Sequence, residues 1–280
     1  MRIIKLPARM QVLARTLPKP IVLVPTMGAL HEGHLALVDR AKQAAGGRGT
    51  TVASIFVNPK QFGPREDFHK YPRPFARDCL LLRKRGCDLV FVPTPAQMYE
   101  PDASVLVTES KLETVLCGLA RPGHFTGVCT VVTKLFHLVQ PDIAIFGEKD
   151  FQQLVILRRM VRDLNFPIRI VGHPTIRETD GLALSSRNVY LSAEERRQAP
   201  LIQQALRAAE RKLRTQSISR KSLQNSIQNW IERGSLAKVD YVAVVDPETL
   251  QPKEPAELPV LLAAAVFFGP TRLIDNILVK

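Results

Sequence analysis

Two rhythms of apolar spacing alternate along the first two thirds of this chain. Short apolar runs at Ile21 to Val24, Thr51 to Val57, Asp88 to Val92, Asp142 to Phe146 and Pro167 to Val171 predict strands. Between them, apolar residues recur at helical spacing after Leu35, from Pro74 to Arg85, from Thr126 to Gln140 and from Phe151 to Asp163. Gly46-Gly47 and Gly86 are the expected stops of the first two helices. A short strand over Arg2 to Leu6 and a helix over Pro7 to Arg15, with proline in its first turn, precede them. Strands alternating with helices predict βαβ units and a parallel sheet covered on both faces, an α/β fold. After about residue 188 the pattern changes. Ser192 and Glu195 form a capping box, and Pro200 is expected to kink or split the helix that follows. Val239 to Val245, Val260 to Phe268 and Thr271 to Val279 then read as strands with no helix between them. They predict a smaller, antiparallel C-terminal α+β domain. We divide the chain into residues 1–176 and 177–280.

Composition narrows the class. The 280 residues are 45% hydrophobic and 23% charged, enough for a sizeable core. No apolar run approaches the roughly 20 residues of a membrane span, and the N-terminus lacks a signal-peptide apolar region. The expectation is a cytoplasmic protein without a membrane partner. Cysteines 79, 87, 117 and 129 form no C-x-x-C pair and read as buried thiols. A net charge of +13 raises nucleic-acid binding. The basic residues are dispersed, however, and no nucleic-acid motif accompanies them. Attraction of anionic substrates accounts for the charge, and no nucleic-acid partner is expected.

Ligands of parallel sheets bind beyond the carboxyl ends of strands, and polar groups gather there. The first cluster is P-T-M-G-A-L-H-E-G-H, ending at His34. It reads as a tight loop running into a helix start, where unpaired N–H groups favour an anion. Gly28 and Gly33 allow close backbone approach, and His31 and His34, three apart, share a helix face. The zinc-protease motif needs one more residue between its histidines; a plain helix start with two solvated histidines is the other reading. Asn58 and Gln61 follow the next strand, Lys149 and Asp150 follow the Asp142 strand, and Ser185, Ser186 and Arg187 lie beyond the Pro167 strand. Taken singly, Asp150 reads equally as a helix N-cap, Ser185-Ser186 as an ordinary turn, Val131 and Val132 as core, Gln153 as a surface glutamine and Gln61 as a loop residue. Lys149 in a first helical turn opposes the helix dipole, which favours a ligand role.

The series P-T-M-G-A-L-H-E-G-H, F-V-N-P-K-Q-F, Y-P-R, R-P-G-H-F, G-E-K-D-F-Q-Q-L, D-G-L-A-L-S-S-R-N and R-L-I-D-N, in order over nearly the whole chain, resembles the pantothenate synthetase (pantoate–β-alanine ligase) family of the nucleotidylyl-transferase superfamily. The resemblance implies a Rossmann-like domain binding ATP and pantoate over 1–176, a C-terminal lid over 177–280, and a homodimer. It implies a coenzyme A pathway reaction in two steps. Pantoate and ATP give pantoyl adenylate and pyrophosphate; the amine of β-alanine then releases AMP and pantothenate. Such chemistry needs positioning and charge neutralisation rather than a protein nucleophile, and no nucleophile-elbow or Cys–His motif is present.

By resemblance, Met27, Gly28, Ala29, Leu30, His31, Glu32, Gly33 and His34 hold ATP, with His34 the acid that eases pyrophosphate departure and His31 its support. Gly147, Glu148, Lys149 and Asp150, then Ile176, Leu184, Ser185, Ser186 and Arg187, complete the nucleotide site; Lys149 is the point charge on the phosphates. Gln61 and Gln153 take the pantoate hydroxyl and carboxylate, beside Met27 and an apolar wall of Val131 and Val132. Gln61 also meets β-alanine. Mg2+ accompanies ATP, held mainly by the phosphates, with Asp78 a candidate outer support. Two departures stand out: Lys60 replaces the family's usual methionine, and Arg77-Asp78 replaces an acidic pair. A nucleotidylyltransferase acting on a phosphate acceptor is the alternative, and a basic RNA-binding protein on a synthetase-like fold is a third reading.

Overall fold

The computed structural model describes the whole chain except residues 65 and 67, which fall in the loop expected between Asn58 and Arg73. The chain begins with β1 (Arg2–Ile4) and α1 (Pro7–Ala14). Then follow β2 (Ile21–Thr26), α2 (Glu32–Ala45), β3 (Thr50–Ile55), α3 (Phe75–Lys84) and β4 (Leu89–Phe91). Two short helices, α4 (Pro95–Met98) and α5 (Cys117–Ala120), lead to α6 (His124–Val139), β5 (Ile143–Gly147), α7 (Phe151–Asp163) and β6 (Arg169–His173). The last third holds α8 (Ala193–Gln198), α9 (Leu201–Thr215), α10 (Arg220–Ile231), β7 (Ala237–Val245), β8 (Val260–Phe268) and β9 (Thr271–Val279).

Strands β1 to β6 form one parallel sheet in the order β1-β4-β3-β2-β5-β6. β2 and β5 are neighbours although their connections run to opposite sides of the sheet, so the strand order reverses between them. A crevice opens at the carboxyl ends of such a pair. The strands of this centre are buried on both faces. Leu23, Val52 and Ala144 pack with α1, α6 and α7, while Val22, Val24, Ala53 and Ile145 pack with α2 and α3. This is why they read as continuous apolar runs rather than alternating ones. β7, β8 and β9 form a separate antiparallel sheet. One face packs on α9 and α10; the other contributes Ala243, Leu261 and Ala263 to the core of the parallel sheet.

Most predicted elements appear within two residues of their expected limits. Helix α6 starts at His124, two residues before the expected Thr126, because Gly123 takes a left-handed φ of +79° that turns R-P-G-H directly into the helix. Pro200 splits the expected helix into α8 and α9, and the Ser192–Glu195 capping box opens α8. The polar stretch before Gly234 resolves into two helices, α10 being capped by the Ser219 side chain. The four cysteines are buried free thiols.

Candidate active site

The loop between β2 and α2 is shaped from both ends. His31 is the N-cap of α2, and its Nδ1 accepts a hydrogen bond from the Gly33 amide at 3.1 Å. That bond requires an unprotonated Nδ1, so the neutral ring carries its proton on Nε2. His34, at the third helical position, accepts from the His31 amide through its own Nδ1 at 3.4 Å. The two rings lie 4.1 Å apart, tilted by 38°. A Cβ on Gly33 would stand 2.8 Å from the His31 ring, so glycine is required for this stacked placement. Upstream, Gly28 (φ +81°) and Ala29 (φ +49°) are consecutive left-handed residues. Asp78, from the first turn of α3, stabilises that bend: its carboxylate accepts from the Ala29 amide at 2.8 Å and the Leu30 amide at 2.9 Å.

Both histidines are held well below the usual imidazole range. Burial is the main cause for each, and the Lys149 ammonium adds to it. His31 falls to about 4, and His34, which also feels His31, to about 3. At neutral pH, therefore, both rings are uncharged hydrogen-bond donors.

The second loop follows β5. Gly147, Lys149 and Asp150 reach the crevice, and Asp150 precedes α7 without capping it through its side chain. Asn276 on β9 donates to the backbone carbonyls of Glu148 and Lys149 at 3.0 and 2.8 Å. On the opposite wall, Asn58 organises the segment after β3. Tyr99 donates from its hydroxyl to Asn58 Oδ1 at 2.8 Å, and Asn58 Nδ2 donates to Gln61 Oε1 and the Gly127 carbonyl. With its oxygen engaged, the Gln61 amide turns its Nε2 toward the Met27 sulfur, 3.0 Å away. Gly127 allows this packing, since a Cβ there would meet the Lys60 carbonyl at 2.2 Å. The neighbouring glutamines divide the labour. Gln152 is buried and ties down Leu112, Val115 and Cys117, while Gln153 faces the crevice.

These groups enclose a cavity of about 240 Å³. Its wall includes Met27, His31, Gly33 and His34 after β2; Gln61 after β3; and Gly147, Lys149 and Asp150 after β5. Ile176, Leu184, Ser185, Ser186 and Arg187 close it beyond β6, and Val131, Val132 and Gln153 line it from α6 and α7. A larger cavity of about 870 Å³ continues from it toward β8 and β9 and shares Arg121, His124, Lys149, Gln153 and Arg187. The two form one cleft. His31, His34, Met27 and Gln61 line only the smaller part.

Five expected nucleotide contacts lie elsewhere. Gly28, Ala29, Leu30, Glu32 and Glu148 are absent from the cavity wall. Ala29 and Leu30 are buried and give their amides to Asp78, and Gly28 donates to Thr26 Oγ1. Glu32 pairs with Arg85 at 2.6 Å, and Glu148 supports the site only through its carbonyl. Asp78, expected as an outer support for magnesium, is engaged by the loop: both oxygens accept from backbone amides, and the side chain is buried. Lys60, half-buried, is not part of the cavity wall; its ammonium sits 5.0 Å from the Tyr99 ring centre.

Two residues of the R-P-G-H-F series brace the mouth of the cavity. Arg121 pairs bidentately with Glu66, at 2.6 and 2.7 Å, and donates to His124 Nε2. His124 in turn donates from Nδ1 to the Gln61 carbonyl at 2.8 Å. Burial, with Arg121 beside it, lowers His124 to about 4, so it is a neutral brace at the cavity mouth.

Comparison with known proteins agrees with this geometry. Residues 2–278 match the model of the pantoate–β-alanine ligase family. The chain belongs to that family. It is 52% identical over 258 residues to the pantothenate synthetase of Thermotoga neapolitana, covering 92% of this chain and 91% of that one. The crystal structure of pantothenate synthetase from Thermus thermophilus superposes with a TM-score of 0.93 at 46% identity over the full length of both chains. A Francisella tularensis pantoate–β-alanine ligase, crystallised with a βγ-ATP compound and β-alanine, gives 0.79 at 31% identity over 99% and 97% of the two chains. As a member of this family, the chain is an ATP-dependent pantoate–β-alanine ligase.

Proposed function

We propose that the cleft joins pantoate to β-alanine through a pantoyl-adenylate intermediate. The observation that carries this reading is the convergence of donors from separate strand ends on one cavity with an apolar α6 wall. Phosphate-directed groups (His31, His34, Lys149, Ser185, Ser186 and Arg187) line it together with two glutamines and an aliphatic surface.

In the first step a pantoate carboxylate oxygen attacks the α-phosphorus of ATP, and the bond to pyrophosphate breaks. Charge builds on the transferred and leaving phosphates, and fixed donors stabilise it without reorganising. His31 and His34 act here as neutral Nε2–H donors. His34 was expected to act as the acid; because burial keeps its ring uncharged at neutral pH, we assign its Nε2–H to hydrogen bonding of the leaving phosphates. Lys149 supplies a point charge, and Ser185, Ser186 and Arg187 flank the triphosphate. Asp150, Ile176 and Leu184 bound the adenosine side. Gln61 and Gln153 orient pantoate against Met27, Val131 and Val132. In the second step the β-alanine amine, guided by Gln61, attacks the acyl carbon and AMP departs with the former carboxylate oxygen.

Among the described residues no three His, Cys, Asp or Glu side chains gather as a metal site. With Asp78 occupied by backbone amides, Mg2+ is best held by the ATP phosphates, whose charge it would neutralise. Residues 1–176 act as the ATP- and pantoate-binding unit and 177–280 as the closing unit. A second copy of the chain is the partner that would cover Val105 and Leu106, which are 84% and 51% exposed on an irregular segment. Among the described residues no helix is long and apolar enough to cross a membrane; with the buried thiols, this supports a cytoplasmic site of action.

Omission assays test the reaction. AMP and pyrophosphate should accumulate only with ATP, pantoate and β-alanine together, and pantoate alone should support exchange of pyrophosphate into ATP. Transfer of AMP to a phosphate acceptor without any amine would instead establish the nucleotidylyltransferase alternative.

A further inference from the structure

The loop carrying Lys149 is held from outside its own domain. Asn276 lies on β9, 127 residues further along the chain, yet its Nδ2 donates to both the Glu148 and Lys149 carbonyls. An amide nitrogen has two hydrogens, so this pair of bonds satisfies it fully. Asn276 is 9% exposed, which shields the bonds from competing water. Its neighbour Asp275 anchors a second stretch of the site. The Asp275 carboxylate, 3% exposed, receives the Arg177 guanidinium at 2.6 and 2.9 Å. Arg177 also donates to the Gly181 carbonyl and bridges to Ala183, just before Ser185, Ser186 and Arg187. Asp275 finally accepts from the Asn276 amide at 2.7 Å, which ties the two anchors together.

Two phosphate-facing loops, one after β5 and one after β6, thus converge on one dipeptide of the C-terminal sheet. The Lys149 side chain is long and flexible. Its backbone is the only part the fold can fix rigidly, and Asn276 grips it there. A misplacement of about 1 Å at a reacting centre costs on the order of 100-fold in rate.

We propose that Asn276, braced by the Asp275–Arg177 ion pair, is a positioning residue for the adenylation step: it sets the Glu148–Lys149 backbone so that the Lys149 ammonium meets the ATP phosphates. The proposal rests on the assignment of Lys149 to those phosphates. It gives the C-terminal sheet a part in the first chemical step besides covering the cleft.

The test is a double-mutant cycle on single-turnover adenylate formation in the full-length enzyme, using Asn276→Leu and Lys149→Ala. Asn276→Leu keeps the side-chain shape and removes both donors. It should slow adenylation about 10- to 100-fold and raise the ATP Michaelis constant, leaving that for pantoate within about twofold. In the Lys149→Ala background the same change should alter the rate by less than about twofold, because residues acting as a unit are non-additive. A merely structural role would give equal losses in both backgrounds, with pantoate binding weakened in parallel, and would overturn the proposal. So would an unchanged rate in Asn276→Leu when Lys149→Ala alone is impaired. A Lys149→Ala enzyme of normal rate would remove the phosphate assignment itself, and the proposal with it. Should the leucine variant fail to fold, Asn276→Ser, with a shorter donor, carries the same cycle with a smaller expected loss.

Discussion

The loops after β2 and after β5 face each other across the same crevice, but they are built in opposite ways. The first is mostly self-made: Gly33 donates to His31 two residues away, and His31 to His34 three residues away. From afar Asp78 reaches the Ala29 and Leu30 amides, and Gln61 reaches the Met27 sulfur. The second is a single 3-10 turn, Glu148–Asp150, and Asn276 on another sheet holds its backbone carbonyls. A self-capped loop can carry its geometry in a short motif. A loop held by a distant strand cannot, and its shape depends on the two sheets packing together.

The sharpest way to probe the self-made loop is His34→Ala. It should lower the rate of adenylate formation about 100- to 1,000-fold, the usual loss for one transition-state donor, with the melting temperature little changed. Rapid-quench measurement of pantoyl adenylate decides it, and a near-normal rate would falsify the donor role. Next in size is Asp78→Asn. It places an amide N–H₂ against two backbone donors in a buried site, and it should destabilise the protein by about 2 kcal/mol. Denaturant unfolding reads this; an unchanged midpoint would mean the loop holds its bend without Asp78.

The buried histidines supply a pH test. In the folded protein His31, His34 and His124 stay neutral down to about 4, 3 and 4, whereas unfolded histidines take up protons near 6.5. Between those limits the unfolded state binds more protons, so stability is full above pH 6.5 and is lost as the pH falls toward 4. Each histidine contributes a slope of up to about 1.4 kcal/mol per pH unit. Unfolding free energies measured from pH 7 to 4.5 should show this fall, and His124→Asn should flatten it. A slope unaltered in that variant would mean His124 takes up its proton normally.

Smaller effects are expected on the pantoate wall. Tyr99→Phe removes the hydroxyl that fixes Asn58 and, through it, Gln61. It should raise the pantoate Michaelis constant about 2- to 10-fold, the worth of one ordinary hydrogen bond, and leave that for ATP unchanged. Equal changes in both constants would argue that Tyr99 serves the fold as a whole. Lys60→Met should be nearly silent, within about twofold, because Lys60 stacks on Tyr99 outside the cavity; this follows from the modest worth of an exposed cation–π contact. A large loss of pantoate affinity would return Lys60 to the substrate side.

The alternation of apolar runs and helical spacing made the parallel sheet, its flanking helices and the antiparallel C-terminal strands readable in advance. That information is local: a strand buried on both faces must be apolar throughout, and a helix with one buried face must repeat every three to four residues. The histidine loop, Lys149 and the serine–arginine segment were readable for a related reason, since each occupies the end of a predicted strand. The status of single residues was less so. Gln152 and Gln153 are adjacent and chemically identical, yet one is a buried brace and only the other reaches the smaller cavity. Ala29 and Leu30 were expected at the nucleotide by resemblance alone, and the structure gives their amides to Asp78.

What this chain declared through its own pattern is therefore the architecture and the kinds of groups gathered at the strand ends. Tertiary packing decided which of those groups line the cleft and which are consumed by the scaffold, and the packing of one unit on the other decided what holds the Lys149 backbone. The division has a physical cause. Periodicity and capping act over a few residues and leave a mark in the order of the amino acids. A hydrogen bond from Asn276 to the Lys149 carbonyl joins residues whose separation in sequence says nothing of their distance in space.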